Sequence, residues 1–157
     1  MVLDGLQEDF RDVLIHLVDA GAEFLIVGAY ALAFHGAPRA SGDIDLFVRP
    51  TLANAERVFD ALARFGAPLD AAGVSAADLA QPGMVYQIGL PPRRIDVMTE
   101  ISGVGFEEAW ASRVAGEVDG RTVNFIGRSA LLRNKEATGR PKDIADARRL
   151  RRPSSGP

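Results

Sequence analysis

From Asp43 to Val48 the chain alternates, with Asp43, Asp45 and Phe47 interleaved with Ile44, Leu46 and Val48. A strand places every second side chain on one face, so both carboxylates leave the same side about 7 Å apart at their α-carbons. Ile44 and Leu46 then enter a core on the other side. Such a strand demands an apolar layer beneath it and leaves two acids on a face of their own. An isolated Asp-x-Asp is also what an ordinary solvent-facing strand carries, so the surrounding residues must decide what the pair does.

Those surroundings read as alternating helices and strands. Leu6, Phe10, Val13, Leu14, Leu17 and Val18 recur at helical spacing and predict a helix over residues 6–20, ended by Gly21. Glu23 to Val27 is an apolar run closed by Gly28, a buried strand, and Ala29 to Phe34 returns to helix formers before Gly36. Pro50 ends the acid-bearing strand, and Thr51 caps a helix whose apolar face is Ala53, Val58, Leu62 and Phe65. The Ala/Gly/Asp-rich stretch from Gly66 to Gly83 reads as a loose, mobile loop. Met84 to Gly89 and Arg94 to Met98 form a hairpin around Leu90-Pro91-Pro92. A short helix over Phe106 to Trp110 precedes a second hairpin, Val114 to Val118 and Thr122 to Ile126, turned by Asp119-Gly120. Two helices, Ser129 to Thr138 and Pro141 to Leu150, are split by Gly139, and Pro141 suits a first-turn position. The expected fold is an α/β (α+β) domain over residues 1–152, a mixed sheet flanked by helices with the C-terminal pair packed back over it. Residues 153–157 are expected to be a disordered tail.

Composition narrows the chemistry. The 157 residues contain no cysteine and two histidines, which excludes disulfide scaffolds and Cys-ligated zinc and disfavours a His-rich metal site. Any metal must sit on oxygen. No apolar run is long enough for a membrane span, and the acidic, amphipathic start is unlike a signal peptide, so a cytoplasmic location is expected. The net charge of -3 conceals an asymmetry: residues 1–127 carry 9 basic and 18 acidic side chains, residues 128–157 carry 9 and 3. That basic third is either a solvated helix face or a surface for polyanions such as triphosphate or RNA.

Asp96 repeats the pattern of the first two acids, since Ile95 and Val97 flank it and turn it away from the core. If its strand neighbours that of Asp43 and Asp45, three carboxylates converge, and their repulsion raises pKa values unless a cation offsets it. Oxygen ligands in that arrangement suit Mg²⁺ or Mn²⁺, and such ions can clamp the oxygens exchanged in phosphoryl transfer. Gly28 adds a strand-to-helix turn whose first amides can point at phosphate.

The run Val27-Gly28-Ala29-Tyr30-Ala31, His35-Gly36-Ala37-Pro38-Arg39 and Ser41-Gly42-Asp43-Ile44-Asp45-Leu46 resembles the opening motif of the minimal nucleotidyltransferase superfamily. The closing run Lys135 to Asp146 resembles the AbiEii-like toxin nucleotidyltransferases and their uncharacterised relatives. The resemblance implies metal binding and catalysis by Asp43, Asp45 and Asp96. It also implies a nucleotide site that includes Gly28, Ala29, Arg39, Ser41, Lys135, Lys142 and Asp143. One position departs from the superfamily, which usually has Gly-Ser or Gly-Gly where this chain has Gly28-Ala29. The Ala29 amide can still donate to phosphate, but the missing hydroxyl costs roughly 1 kcal/mol of binding if nothing replaces it.

Lys135 and Lys142 are the only lysines beside sixteen arginines. Their confinement to the closing motif suggests that a compact ammonium is needed there, for phosphate rather than for the fold. Asp146 reads as a first-turn acid stabilising the last helix. Arg39 pairs with phosphate or with one of the acids, and at most one of Arg93 and Arg94 faces the carboxylates. His35, Tyr30, Phe34 and Trp110 read as structural. The reaction these features imply moves a nucleoside monophosphate from an NTP to an acceptor hydroxyl on a tRNA, protein or small molecule. The chain would then be the toxin-like member of a toxin–antitoxin pair. The alternative is a non-catalytic module that keeps the fold to bind or regulate a partner.

Overall fold

A computed structural model describes residues 6–152. The expected tail at 153–157 and the first five residues lie outside them. Helix α1 (Glu8–Asp19) begins where the Gln7 side chain accepts from the Phe10 amide at 3.0 Å. Glu8 and Asp9 in its first turn favour the positive end of the helix, and Phe10, Val13, Leu14 and Leu17 bury one stripe. Strand β1 (Phe24–Val27) is buried throughout and runs directly into α2 (Gly28–Phe34). Strand β2 (Asp43–Val48) leads to α3 (Leu52–Phe65), which Thr51 caps by accepting from the Asn54 amide at 3.4 Å. Gly66 ends α3 with φ +99°, a left-handed conformation that costs glycine nothing.

Residues 67–83 differ from the loose loop expected of them. They form α4 (Leu69–Ala72) and a 3₁₀ turn at Asp78–Ala80, and they bury Leu69, Val74 and Leu79. Ser75 and Asp78 exchange side chain-to-backbone hydrogen bonds. The small, polar composition that suggested mobility hides three apolar anchors spaced five residues apart.

Strands β3 (Val85–Ile88) and β4 (Arg94–Met98) form the expected hairpin, and α5 (Phe106–Ala111) follows. Strands β5 (Val114–Val118) and β6 (Arg121–Phe125) flank Asp119 and Gly120, both with positive φ. Helices α6 (Arg128–Thr138) and α7 (Pro141–Arg151) close the described chain, with Pro141 in the first turn of α7. The sheet is six-stranded and mixed, in the order β3-β4-β2-β1-β6-β5. Strand β1 pairs antiparallel with β2 and parallel with β6, while β2 pairs parallel with β4. No helix among the described residues is long and apolar enough to cross a membrane.

The sheet has one apolar face and one mixed face. Ile44, Leu46, Val48, Ile95 and Val97 are inaccessible to solvent on the first, as alternation requires. On the second, Phe47 meets Phe106 of α5 edge-on, with ring centroids 5.1 Å apart, which leaves Asp43 and Asp45 at the end beyond α5. The aromatic residues expected in the core are packed: Tyr30 lies edge-on to Phe10 and Phe34 stacks on Phe125 at 4.0 Å. Trp110 stacks on Phe106 and receives the guanidinium of Arg113.

One buried polar residue ties α3 to the sheet. Asn54 accepts from the Glu23 amide at 2.7 Å and donates to the Glu23 and Arg49 carbonyls at 2.9 and 3.0 Å. It thereby joins the start of β1 to the residue after β2. Asn54→Leu would strand the Glu23 amide and the Arg49 carbonyl in a buried site, each costing about 1–3 kcal/mol when left unpaired, while the Glu23 carbonyl keeps the Arg49 amide at 3.1 Å. Urea unfolding should show a loss of at least about 2 kcal/mol, with the far-ultraviolet circular dichroism of the native state retained.

Candidate active site

The parallel pairing of β2 with β4 sets Asp45 opposite Asp96 and Asp43 opposite Arg94. All four side chains therefore emerge on the mixed face, and the three acids that the sequence spreads over fifty residues stand on adjacent strands. Antiparallel pairing brings Val27, and with it the turn at Gly28, beside Asp45. Gly28 has φ +66°, and a β-carbon there would stand 2.9 Å from the Asp45 Cγ. Only glycine permits both that backbone and the approach of the carboxylate.

Arg94 is the facing arginine of its pair, and it is firmly engaged. Its Nε donates to Asp96 Oδ1 at 2.9 Å, and one terminal nitrogen donates to Asp43 Oδ2 at 2.6 Å and Asp96 Oδ2 at 3.3 Å. Asp43 Oδ1 is buried without a partner. The Asp45 carboxyl, which Arg94 does not reach, is pushed up from 3.8 to about 6 by burial first, then by the charges of Asp96 and Asp43, with Lys135 opposing. As they stand, no three acids or histidines among the described residues form a closed metal cage. The donor set nevertheless fits a hard divalent cation: three carboxylates, an orphaned buried oxygen on Asp43 and a cradle at Gly28 that a β-carbon would fill.

A cavity of about 280 Å³ opens beside Asp45. Val27 and Gly28 form one wall, Glu100 to Ser102 another, and Lys135, Thr138, Arg140 and Asp143 the wall supplied by α6 and α7. The two C-terminal helices thus fold back over the sheet, as expected. A larger cavity, about 590 Å³, lies along α1 and α3 between His16, Asp19, Arg57 and Arg64, but it holds none of the residues singled out above.

Lys135 is 6% exposed, and its ammonium lies 3.1 Å from Asp143 Oδ1 and 3.2 Å from Asp146 Oδ2. It therefore serves the fold as well as lining the cavity. Burial alone would raise the Asp143 carboxyl, but donors from Thr138, Lys135 and Arg140 outweigh that and hold it below its ordinary value. Lys142 is exposed and makes no ion pair among the described residues.

Asp146 departs from its reading as a first-turn acid. It is 2% exposed, and besides Lys135 it takes the Nε of Arg39 on both oxygens, at 3.1 and 3.2 Å. Arg39 thus pairs with an acid, though not with one on the sheet. The available signal was Asp146's place in the buried stripe of α7, three residues after Asp143 and four before Leu150. Ser41 is exposed and hydrogen-bonds the backbone of Asp43, and Ala29 is buried beside Gly28. Arg39, Ser41 and Ala29 line a separate small cavity rather than the one at Asp45. His35 is structural, its Nε2–H donating to the Ile126 carbonyl at 2.7 Å.

No family model matches the chain, and no curated protein matches it in sequence. Among solved structures it resembles a Thermotoga maritima protein described as "a putative nucleotidyltransferase". The TM-score is 0.56 at 13% identity, covering 90% of this chain and 88% of that one. The fold is nucleotidyltransferase-like. At that identity the likeness speaks for the sheet and its helices, and the side chains must carry the rest.

The raised Asp45 carboxyl has a measurable consequence for chelator-treated protein. Unfolded, Asp45 titrates at its ordinary 3.8, so between about pH 4 and 6 the folded chain holds more protons and this group's contribution to stability falls as pH rises. Asp45→Asn removes that loss. The variant should exceed the parent by about 2–3 kcal/mol at pH 7, at about 1.4 kcal/mol per unit, and converge with it below about pH 4. Urea unfolding of both proteins across that range measures the difference, which cancels the opposite contribution of Asp143.

Proposed function

We propose that the chain is a metal-dependent nucleotidyltransferase that moves a nucleoside monophosphate from an NTP to an acceptor hydroxyl and releases pyrophosphate. The observation that carries this reading is the meeting of three carboxylates with Gly28 at one end of the sheet, beside a cavity that Lys135 enters from the opposite wall. Carboxylates that repel one another and an ammonium across a gap complement a triphosphate accompanied by Mg²⁺ or Mn²⁺.

Asp43, Asp45 and Asp96 would hold the metal, which when bound neutralises the triphosphate and polarises the α-phosphorus. Lys135 offers a point charge to phosphate oxygens from the α6 wall. Gly28 keeps the wall beside Asp45 free of a side chain, and the amide of Ala29 follows it. The acceptor oxygen forms a bond to the α-phosphorus, the bond between that phosphorus and the α,β-bridging oxygen breaks, and pyrophosphate leaves. The hydroxyl proton passes to a carboxylate of the cluster, for which Asp96 is the proposed acceptor. The AbiEii-like closing motif supports a toxin-type enzyme acting in the cytoplasm on a tRNA, protein or small molecule, with an antitoxin as partner.

One observation favours a second reading. Arg94 already neutralises Asp43 and Asp96, so the cluster is compatible with a non-catalytic module that has kept the fold to bind or regulate a partner. Calorimetric titration with NTP and Mg²⁺ separates the two. Under the enzymatic reading the parent binds both together and Asp43→Asn with Asp45→Asn abolishes binding, while the fold survives because both side chains leave the apolar face. Equal binding by parent and double variant overturns the site, and absence of binding by the parent supports the module.

The two lysines should behave differently. Lys142→Ala is expected to leave the melting temperature unchanged, since its side chain is exposed, and to weaken NTP binding only at low salt if its charge assists the phosphates. Lys135→Ala should weaken NTP binding and also lower the melting temperature by several degrees, because it leaves two buried carboxylates without their ammonium. Calorimetry at low and high salt, with melting curves for each variant, measures both effects.

A further inference from the structure

Three carboxylates crowd one sheet face, and the cation nearest to them is a side chain of their own chain. Arg94 reaches Asp43 and Asp96 through Nε and one terminal nitrogen, occupying one oxygen of the first and both of the second. These are oxygens a divalent ion would need, and a guanidinium at hydrogen-bond distance would face that ion as a like charge. Arginine and metal therefore compete for both oxygens of Asp96 and for Oδ2 of Asp43. The register makes the engagement unavoidable: Arg94 lies opposite Asp43 and two residues before Asp96 on the same strand, so its fork is delivered to both acids by the pairing that assembles the cluster.

The exit is also built in. The Arg94 side chain is 28% exposed and that of Asp43 26%, whereas that of Asp96 is 10% exposed, so the guanidinium has solvent into which it can leave the more buried Asp96. The neighbouring Asp43 Oδ1 is buried with no donor, and Asp45 receives nothing from Arg94. A monovalent planar fork thus satisfies part of a donor set that a compact divalent ion would fill more completely.

We infer that Arg94 is a resident counter-cation that holds the carboxylate cluster closed, and that a divalent cation binds only by displacing its guanidinium from Asp43 and Asp96. The inference rests on the metal-dependent reading above. Arg94 is a positioning residue in this role: it keeps the acids together at low metal and lowers the affinity of the site for a bare ion. Removing it should tighten metal binding, the opposite of what the loss of an ordinary structural ion pair would do.

The experiment is calorimetric titration of Mn²⁺ alone into the full chain, its Arg94→Ala and Arg94→Gln variants, and Arg121→Ala, which loses an exposed pair with Asp19 far from the acids. The expected result is an affinity at least about tenfold higher in both Arg94 variants, as befits the removal of a cation adjoining the site, and an unchanged affinity in Arg121→Ala. Parent and Arg94 variants binding equally, or the variants more weakly, overturns the role of Arg94 while leaving the metal site standing. No Mn²⁺ binding by any of the proteins overturns the inference together with the metal-dependent reading.

A second readout uses the unmodified chain and does not depend on the variants folding. The Arg94 Nε–H resonance, held by Asp96, should lose its protection from solvent exchange when Mg²⁺ is added to saturation. A resonance that keeps its protection in the metal-saturated protein overturns displacement.

Discussion

The parallel pairing of β2 with β4 governs everything at the mixed face of the sheet. A shift of one residue would turn Asp96 to the opposite face from Asp45 and drive it into the apolar layer that Ile95 and Val97 occupy. Burial of those two residues with Ile44 and Leu46 is therefore what fixes the register. The hydrophobic core chooses the alignment, and the carboxylates follow from it. The pairing concentrates negative charge at a place the chain then partly neutralises with Arg94 and Lys135, one cation from the sheet itself and one from a helix laid across it.

The cost of the arrangement is visible where compensation is incomplete. Asp43 keeps an unpartnered buried oxygen, and the Asp45 carboxyl rises because neither cation balances its burial and its acidic neighbours. Strain of this kind is destabilising and persists where surrounding structure over-determines it. Here the over-determination comes from Gly28, whose missing side chain leaves room for Asp45, and from the two strands that hold the acids in line. The contrast with Asp143 is instructive, since that residue is also buried and yet finds a donor for each oxygen.

Much of the sheet was legible because its strands carry clear periodicity: the acid-bearing strand, the buried run before Gly28 and both hairpins announce themselves through alternation or turn residues. The neighbourhood of β2 and β4 was legible only conditionally, because alternation says which face a residue takes and nothing about which strand lies beside it. The segment 67–83 was misread because alanine, glycine and aspartate dominate it, and three isolated apolar residues do not make a period. Asp146 was misread because its partners, Arg39 and Lys135, are 107 and 11 residues away and come from different elements. A charge on a helix looks solvated until the helix is docked. Arg94 could be assigned a face from parity, but its bridging of two acids required the register.

The ion-pair chain from Arg39 through Asp146 to Lys135 also makes the cavity wall depend on long-range closure. Arg39 precedes β2, and Asp146 lies 107 residues further on in α7. Until α7 docks, Arg39 lacks the acid that holds its loop, and Lys135 lacks one of the two aspartates that hold it at the cavity. Strand pairing aligns the three acids of the sheet, whereas Lys135 across the cavity gains its second aspartate only when α7 is in place.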